Sequence, residues 1–308
     1  MKLRLTISLA VALMFAPGIF AQPAATPAAP APLEKLQSSI ERITTSVNAS
    51  WGIYVKCLET GEELAINADR QMDTMSVIKI PLMAEVFEQM KAGKFALTDK
   101  YTLTAEDIRP GTGTLRLMDP GAVMTVKDLI TYMIVVSDNT ATDALYRMVG
   151  GPEVVTKRME AYGLKLTVAP WPAARWFADL FAAKSSKEFH QQAKTPFGLS
   201  TPREIGVLLE QMEKGTLVDA ASSKLMLQIM RGQKYTTRIP RLLTGWTIPH
   251  KTGDFLPYIG NDVGVLEAPG RTIIISIFTA NHFGAGNTLE EAIGRIAEQV
   301  GAYFAYRN

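Results

Sequence analysis

The sequence predicts an α+β protein: an antiparallel β-sheet flanked by an N-terminal and a C-terminal helix, with an all-helical lobe inserted between its strands. Three observations predict it. Residues 33–67 read as a helix followed by strands, strand signals return only after residue 246, and the intervening stretch carries helix-capping signatures. A sheet assembled from both ends of the chain around a helical insertion satisfies that order.

The chain has 308 residues, with 32 Lys plus Arg against 30 Asp plus Glu, a net charge of +2 and 47% hydrophobic residues. That composition is globular. It lacks the basic footprint of a nucleic-acid binder or a polybasic membrane patch, so no nucleic-acid partner is expected. Cys57 is the only cysteine, which rules out an intrachain disulfide. Inside a strand with no His or second Cys nearby, it reads as a small core hydrophobe.

At the N-terminus, Lys2 and Arg4 precede an apolar run ending at Phe20, interrupted by Pro17 and Gly18 and followed by Ala21. Residues 1–21 therefore read as a cleaved signal peptide, which places the mature protein in the periplasm or outside the cell. The run falls short of the ~20 residues that span a bilayer, so no stable membrane insertion is expected after cleavage. Residues 22–32, QPAATPAAPAP, read as an extended tether, and residues 33–308 as a single catalytic domain.

Within that domain Leu33, Leu36, Ile40, Ile43 and Val47 form one apolar helix face. Residues 51–58 (WGIYVKCL) and 63–67, joined by Glu59-Thr60-Gly61, read as a β-hairpin. Thr125 with Asp128 forms a capping box, and Thr201, Pro202 and Glu204 supply an N-cap, a first-turn proline and an acid. Later, residues 263–266 and 272–279 flank an Ala268-Pro269-Gly270 turn as a second hairpin, its return strand reading as strongly buried. Leu289, Ile293, Ile296, Val300 and Phe304 line a final helix. Residues 168–200 show no usable periodicity and read as a long loop.

Three short motifs stand in order: Ser76-Val77-Ile78-Lys79, Ser137-Asp138-Asn139 and Lys251-Thr252-Gly253. If Ser76 opens a helix, Lys79 lies one turn up on the same face and can reach its hydroxyl. A lysine takes a serine proton only if its own pKa is lowered, and Met75, Val77, Ile78, Ile80, Leu82 and Met83 provide a dry setting for that. Free N–H groups at the helix start suit a developing oxyanion. Pro81 is expected to kink the helix near its start. Ser137-Asp138-Asn139 falls on a helix-to-helix turn, where a hydroxyl can relay a proton and an amide can hold a substrate carbonyl. Lys251-Thr252-Gly253 reads as a strand edge suited to gripping a carboxylate-bearing substrate, with the Asp254 N–H offered to the oxyanion.

Together these residues resemble the signature elements of class A β-lactamases and the related penicillin-binding proteins. The first two serines stand 137 − 76 = 61 residues apart, and the flanking text, including MIVVSDNTATDAL, is similar over residues 33–308. The resemblance implies a β-lactamase/transpeptidase-like fold and a serine hydrolase that acts on β-lactams through an acyl-enzyme on Ser76. Lys79 would then accept the proton and Ser137 relay it. Asn139, Lys251, Thr252 and Gly253 would position substrate, and the N–H groups of Ser76 and Asp254 would form the oxyanion hole.

One element of the family pattern is missing. The Glu-x-x-Leu-Asn loop that activates the deacylating water is not found; Asp179 and Glu188 are the carboxylates in that stretch, and Glu188 is the candidate acid. Three readings follow: a β-lactamase with a non-standard deacylation group, an acyl-serine enzyme for cell-wall peptides that releases β-lactams slowly, and a penicillin-binding sensor without turnover. The partner is accordingly a small β-lactam or a cell-wall peptide, and the protein is expected to act as a monomer without a cofactor. His190, His250 and His282 lack metal-ligand spacing, so no metal is expected. Gly111-Thr112-Gly113 reads as a turn bordering the cleft, and Trp171, Trp176 and Phe177 as side chains that either line a substrate pocket or, the preferred reading, pin the long loop.

Overall fold

Helix α1 (Glu34–Ser46) opens the described part of the computed structural model, residues 33–192 and 194–305; the expected signal peptide and tether lie outside it. The hairpin β1 (Ser50–Cys57) and β2 (Glu63–Ile66) follows. A short strand β3 (Met72–Asp73) and a 3-10 turn (Met75–Ile78) then lead into α2 (Lys79–Lys91). Next come β4 (Lys100–Thr102), β5 (Val123–Thr125), α3 (Val126–Val135), α4 (Asn139–Val149), α5 (Pro152–Ala161), α6 (Ala173–Ala182) and α7 (Ser186–Gln192). After β6 (Leu199–Ser200), α8 (Pro202–Glu213) and α9 (Ala220–Met230), the chain returns to the sheet through β7 (His250–Phe255), β8 (Ile259–Ala268) and β9 (Arg271–Ala280), and closes with α10 (Gly286–Ala305).

The five-stranded sheet has the order β2-β1-β9-β8-β7, with every neighbour antiparallel. The two chain ends thus meet inside one sheet, where Ile53 of β1 faces Ile277 of β9. Alternation along β9 explains its unbroken apolar text. Ile273, Ile275 and Ile277 pack under α1 and α10, whereas Ile274 and Phe278 belong to the core of the helical lobe. Each of these buried side chains contributes roughly 1.5–3 kcal/mol by leaving water. On the lobe face α8 lies close to the strands because Gly206 has no side chain: a Cβ there would come within 2.3 Å of the Tyr54 ring. Cys57 is buried, in accord with the core reading.

The capping signatures have the expected outcome. Thr125 accepts from the Asp128 N–H and Asp128 returns the bond, while Thr201 accepts from the Glu204 N–H with Pro202 at the first helical position. Pro81 is the third residue of α2, inside its first turn, where a missing donor costs least. The loop expectation for residues 168–200 needs correction, since α6 and α7 occupy much of it. Both helices are short, and their aromatic residues are driven by one packing centre and not by helical propensity: Trp176 makes edge-on contacts with Phe177, Phe189, Phe197 and Phe255 at centroid distances of 5.1 to 5.6 Å. No helix among the described residues is long and apolar enough to cross a membrane.

Candidate active site

Ser76 is the second residue of the 3-10 turn that precedes α2, not the first residue of an α-helix. Its N–H therefore comes before the first helical acceptor and is free to point into the cleft. The turn is braced from three sides. Asp73 accepts the Met75 N–H at 2.9 Å and the Phe197 N–H at 3.1 Å, the Asn261 amide donates to Asp73 O at 2.9 Å, and Thr74 N donates to Gly198 O at 2.8 Å. These bonds hold Met75 at φ +47°, a backbone state that non-glycine residues adopt only when their surroundings impose it. Burial pushes the Asp73 carboxyl up to about 6.

Lys79 begins α2 and is fully buried. The expected dry setting is present: Met75, Val77, Ile78, Ile80, Leu82 and Met83 are all buried. Its ammonium nitrogen, however, is bonded to the second motif and not to Ser76. It reaches Ser137 O at 2.7 Å, Ser137 Oγ at 3.1 Å and Asn139 Oδ1 at 2.9 Å. Desolvation, reinforced by the charge of Lys251, holds its pKa well below the ordinary lysine value. Ser137 makes this meeting possible because it sits at φ +55° between α3 and α4, which turns both its carbonyl and its hydroxyl toward Lys79. Asp138 caps α4 through the Ala141 N–H and also accepts from the Leu115 N–H. Asn139 donates to Pro110 O at 3.0 Å, which leaves one amide hydrogen for a ligand.

Lys251 completes the cluster from β7. Its Nζ donates to Ser137 Oγ at 3.0 Å and to Thr252 O at 2.7 Å, so the Ser137 hydroxyl bridges two buried lysines. Burial drives the Lys251 pKa down to about 7, with Asp254 and Asp262 opposing the shift and Arg238 adding to it. Gly253 has a steric role: a Cβ there would stand 2.4 Å from Thr74 O and 3.1 Å from Ser76 N. The open edge of β7 faces the same gap. Val265 N donates to Pro249 O, so by the alternation of antiparallel pairing Lys251 and Gly253 turn their N–H groups toward β8, and Thr252 and Asp254 turn theirs outward. Thr252 Oγ1 is buried and makes no hydrogen bond among the described residues.

The Gly111-Thr112-Gly113 turn borders this cleft: Thr112 Oγ1 donates to Ser137 O at 2.7 Å, and Asn139 N donates to Thr112 O at 3.1 Å. Glu188 is not brought to the cluster. Its carboxylate accepts from Lys184 N at 3.2 Å and Gln192 Nε2 at 3.1 Å, and its own N–H bonds Ser185 Oγ. The Ser185-x-x-Glu188 spacing is a capping signature that accounts for this placement. Asp179 is taken by Arg175 and Thr195. What α6 brings to the cleft is Phe177, whose ring would lie 2.8 Å from a Cβ on Gly111, and backbone: the N–H groups of Ala173 and Ala174 donate to Asp143. Trp176 pins the segment as expected, and Trp171 donates to Pro196 O.

Sequence reasoning missed Asp73, Asn261 and Arg238. Arg238 is 2% exposed and donates to Asn261 O at 2.8 Å, to Asp254 and to Glu290. None of these lies in a motif. The only signal was charge and amide groups at the borders of apolar strands.

A family model described as the beta-lactamase enzyme family matches residues 35–304. Beta-lactamase VEB-1 of Pseudomonas aeruginosa is 26% identical over 286 residues, covering 88% of this chain and 91% of that protein. Extended-spectrum beta-lactamase PER-1, also of Pseudomonas aeruginosa, is 26% identical over 277 residues, covering 85% of each. Among solved structures, a beta-lactamase from Sphaerobacter thermophilus superimposes with a TM-score of 0.77 at 26% identity, over 89% of this chain and 98% of that one. Because the family match takes in both faces of the sheet and every motif residue, the chain belongs to the beta-lactamase enzyme family.

Proposed function

We propose that this protein is a serine hydrolase that opens the amide of β-lactams through an acyl-enzyme on Ser76, and that acylation is the better-equipped half of its cycle. The observation that carries the proposal is the buried Lys79–Ser137–Lys251 cluster beside the braced serine turn. As a neutral amine, Lys79 keeps two donors for Ser137 O and Asn139 Oδ1 and turns its lone pair, the proton acceptor, toward the Ser137 hydroxyl at 3.1 Å. Ser76 Oγ attacks the lactam carbonyl and its proton passes to Lys79. The carbonyl oxygen, now negative, is received by the N–H groups of Ser76 and Asp254. When the C–N bond breaks, the Ser137 hydroxyl protonates the leaving nitrogen and is recharged from Lys79 or Lys251. Asn139 and Thr252 hold the substrate in place.

Deacylation needs a base for water. No carboxylate is hydrogen-bonded to Lys79 or Ser137 among the described residues, so Lys79 itself serves. That favours a second reading, in which a cell-wall peptide is the natural acyl donor and β-lactams are released slowly. In either case the protein works as an exported monomer, since its N-terminus reads as a signal peptide and one chain supplies every group of the site. Incubation with a penicillin should add one drug mass to Ser76, and Ser76→Ala should abolish both the adduct and drug consumption. An unlabelled wild type would contradict the proposal.

A further inference from the structure

On β7, side chains two apart share a face, so the unpartnered Thr252 hydroxyl and the Asp254 carboxylate stand together at the open edge of the sheet. A carboxylate-bearing substrate needs a cation on this face. The cation present is Arg238, almost fully buried and held by its bond to Asn261 O. Its other terminal nitrogen is already paired with Asp254 and lies 3.3 Å from Glu290, which also accepts from Thr237 at 2.7 Å. Two carboxylates of the chain thus match one guanidinium before any substrate arrives. Lys251 does not make up the difference, because its Nζ is spent on Ser137 and Thr252 O on the other side of the strand.

We propose that Asp254 sets the charge preference of the site: its carboxylate occupies the place beside Thr252 and Arg238 that a substrate carboxylate would take, so the enzyme favours acyl donors that are neutral or cationic at that end, such as esters, amides or amines. A substrate carboxylate must either displace Asp254 from Arg238 or sit against it, and both routes weaken the transition-state complex. Asp254 acts here through its side chain, apart from the oxyanion role of its N–H. The side chain is 32% exposed, so it is open to solvent where Arg238 is not.

This inference rests on the acyl-serine reading, and its test separates the two. A chromogenic cephalosporin and its methyl ester are compared on the full-length wild type, Asp254→Asn and Asp254→Ser, by kcat/KM and by the rate of Ser76 acylation in intact-mass spectra. Asp254→Asn keeps the size of the side chain, and in both variants the bonds to Asn261 O and Glu290 keep Arg238 in place. The ester should be processed at least as well as the acid by wild type. Both variants should raise the acid-to-ester ratio by about tenfold or more, the worth of one charge-assisted hydrogen bond, and Arg238→Met in the Asp254→Ser background should cancel the gain. An unchanged ratio in folded variants that still acylate overturns the role of Asp254 alone. Failure of wild type to acylate with either compound overturns the acyl-serine reading and this inference with it.

Discussion

The serine corner and the α6–α7 segment line the same cleft but are built on opposite plans. At the corner, polar groups are buried and matched: Lys79 makes bonds to Ser137 and Asn139, Lys251 shares the Ser137 hydroxyl, and strained positions at Met75 and Ser137 are held by neighbours. In the segment the interior is aromatic, centred on Trp176, and the carboxylates Asp179 and Glu188 are used up in bonds of their own. The difference teaches where strain and desolvation have been accepted. A buried lysine pair is costly unless its protons have somewhere to go, whereas an aromatic cluster is held by area and shape. The first plan prepares a chemical step; the second builds a wall.

Perturbing each side separately should break or sharpen this contrast. The largest effect is expected for Lys79→Met, which should slow acylation by about 10³-fold, within the range of general-base removal; stopped-flow acylation with a penicillin measures it, and a change under tenfold would place the base elsewhere. Next is Trp176→Ala, expected to cost about 3–5 kcal/mol of stability from the cavity it leaves. Chemical denaturation checks that value, and acylation of the remaining folded protein should stay within a few-fold of wild type.

A smaller, pH-dependent effect belongs to Lys251. Its folded pKa of about 7 lies below the ordinary 10.5, so across that window the unfolded chain holds a proton that the folded state has released. Stability contributed by this group therefore rises as pH increases from 7 toward 10.5. Melting temperatures of wild type and Lys251→Met over that range should show the slope in the difference; parallel curves would mean an unshifted lysine. Glu188→Gln should have the smallest effect, with deacylation changed less than about twofold, as for a surface capping residue. A loss of a hundredfold would restore Glu188 as the deacylating acid.

The same contrast explains what the sequence disclosed. The serine corner was legible because its residues are gathered in three short motifs, although the bonds that join them, from Lys79 and Lys251 to Ser137, run between motifs. The sheet was legible for a similar reason: the apolar run of β9 and the paired turns follow from period and punctuation. Residues 168–200 were not, because α6 and α7 owe their placement to Phe197 and Phe255, contacts made only after folding. The 3-10 geometry at Ser76 was also hidden, since Asn261 and Gly198 brace it from far along the chain and Asp73, its neighbour, is itself fixed by Phe197 and Gly198. Arg238 escaped for the same reason: its partners Asp254 and Glu290 are supplied by β7 and α10.

The most direct test of the imbalance between the two sides is a quenched time course of Ser76 acylation and release with one penicillin, followed by intact mass. Acyl-enzyme should form faster than it is cleared, so that the adduct accumulates to nearly one equivalent during steady-state hydrolysis. Free enzyme predominating throughout, with drug consumed at saturating concentration, would mean that deacylation is as well equipped as acylation and would contradict the assignment of roles to the two walls of the cleft.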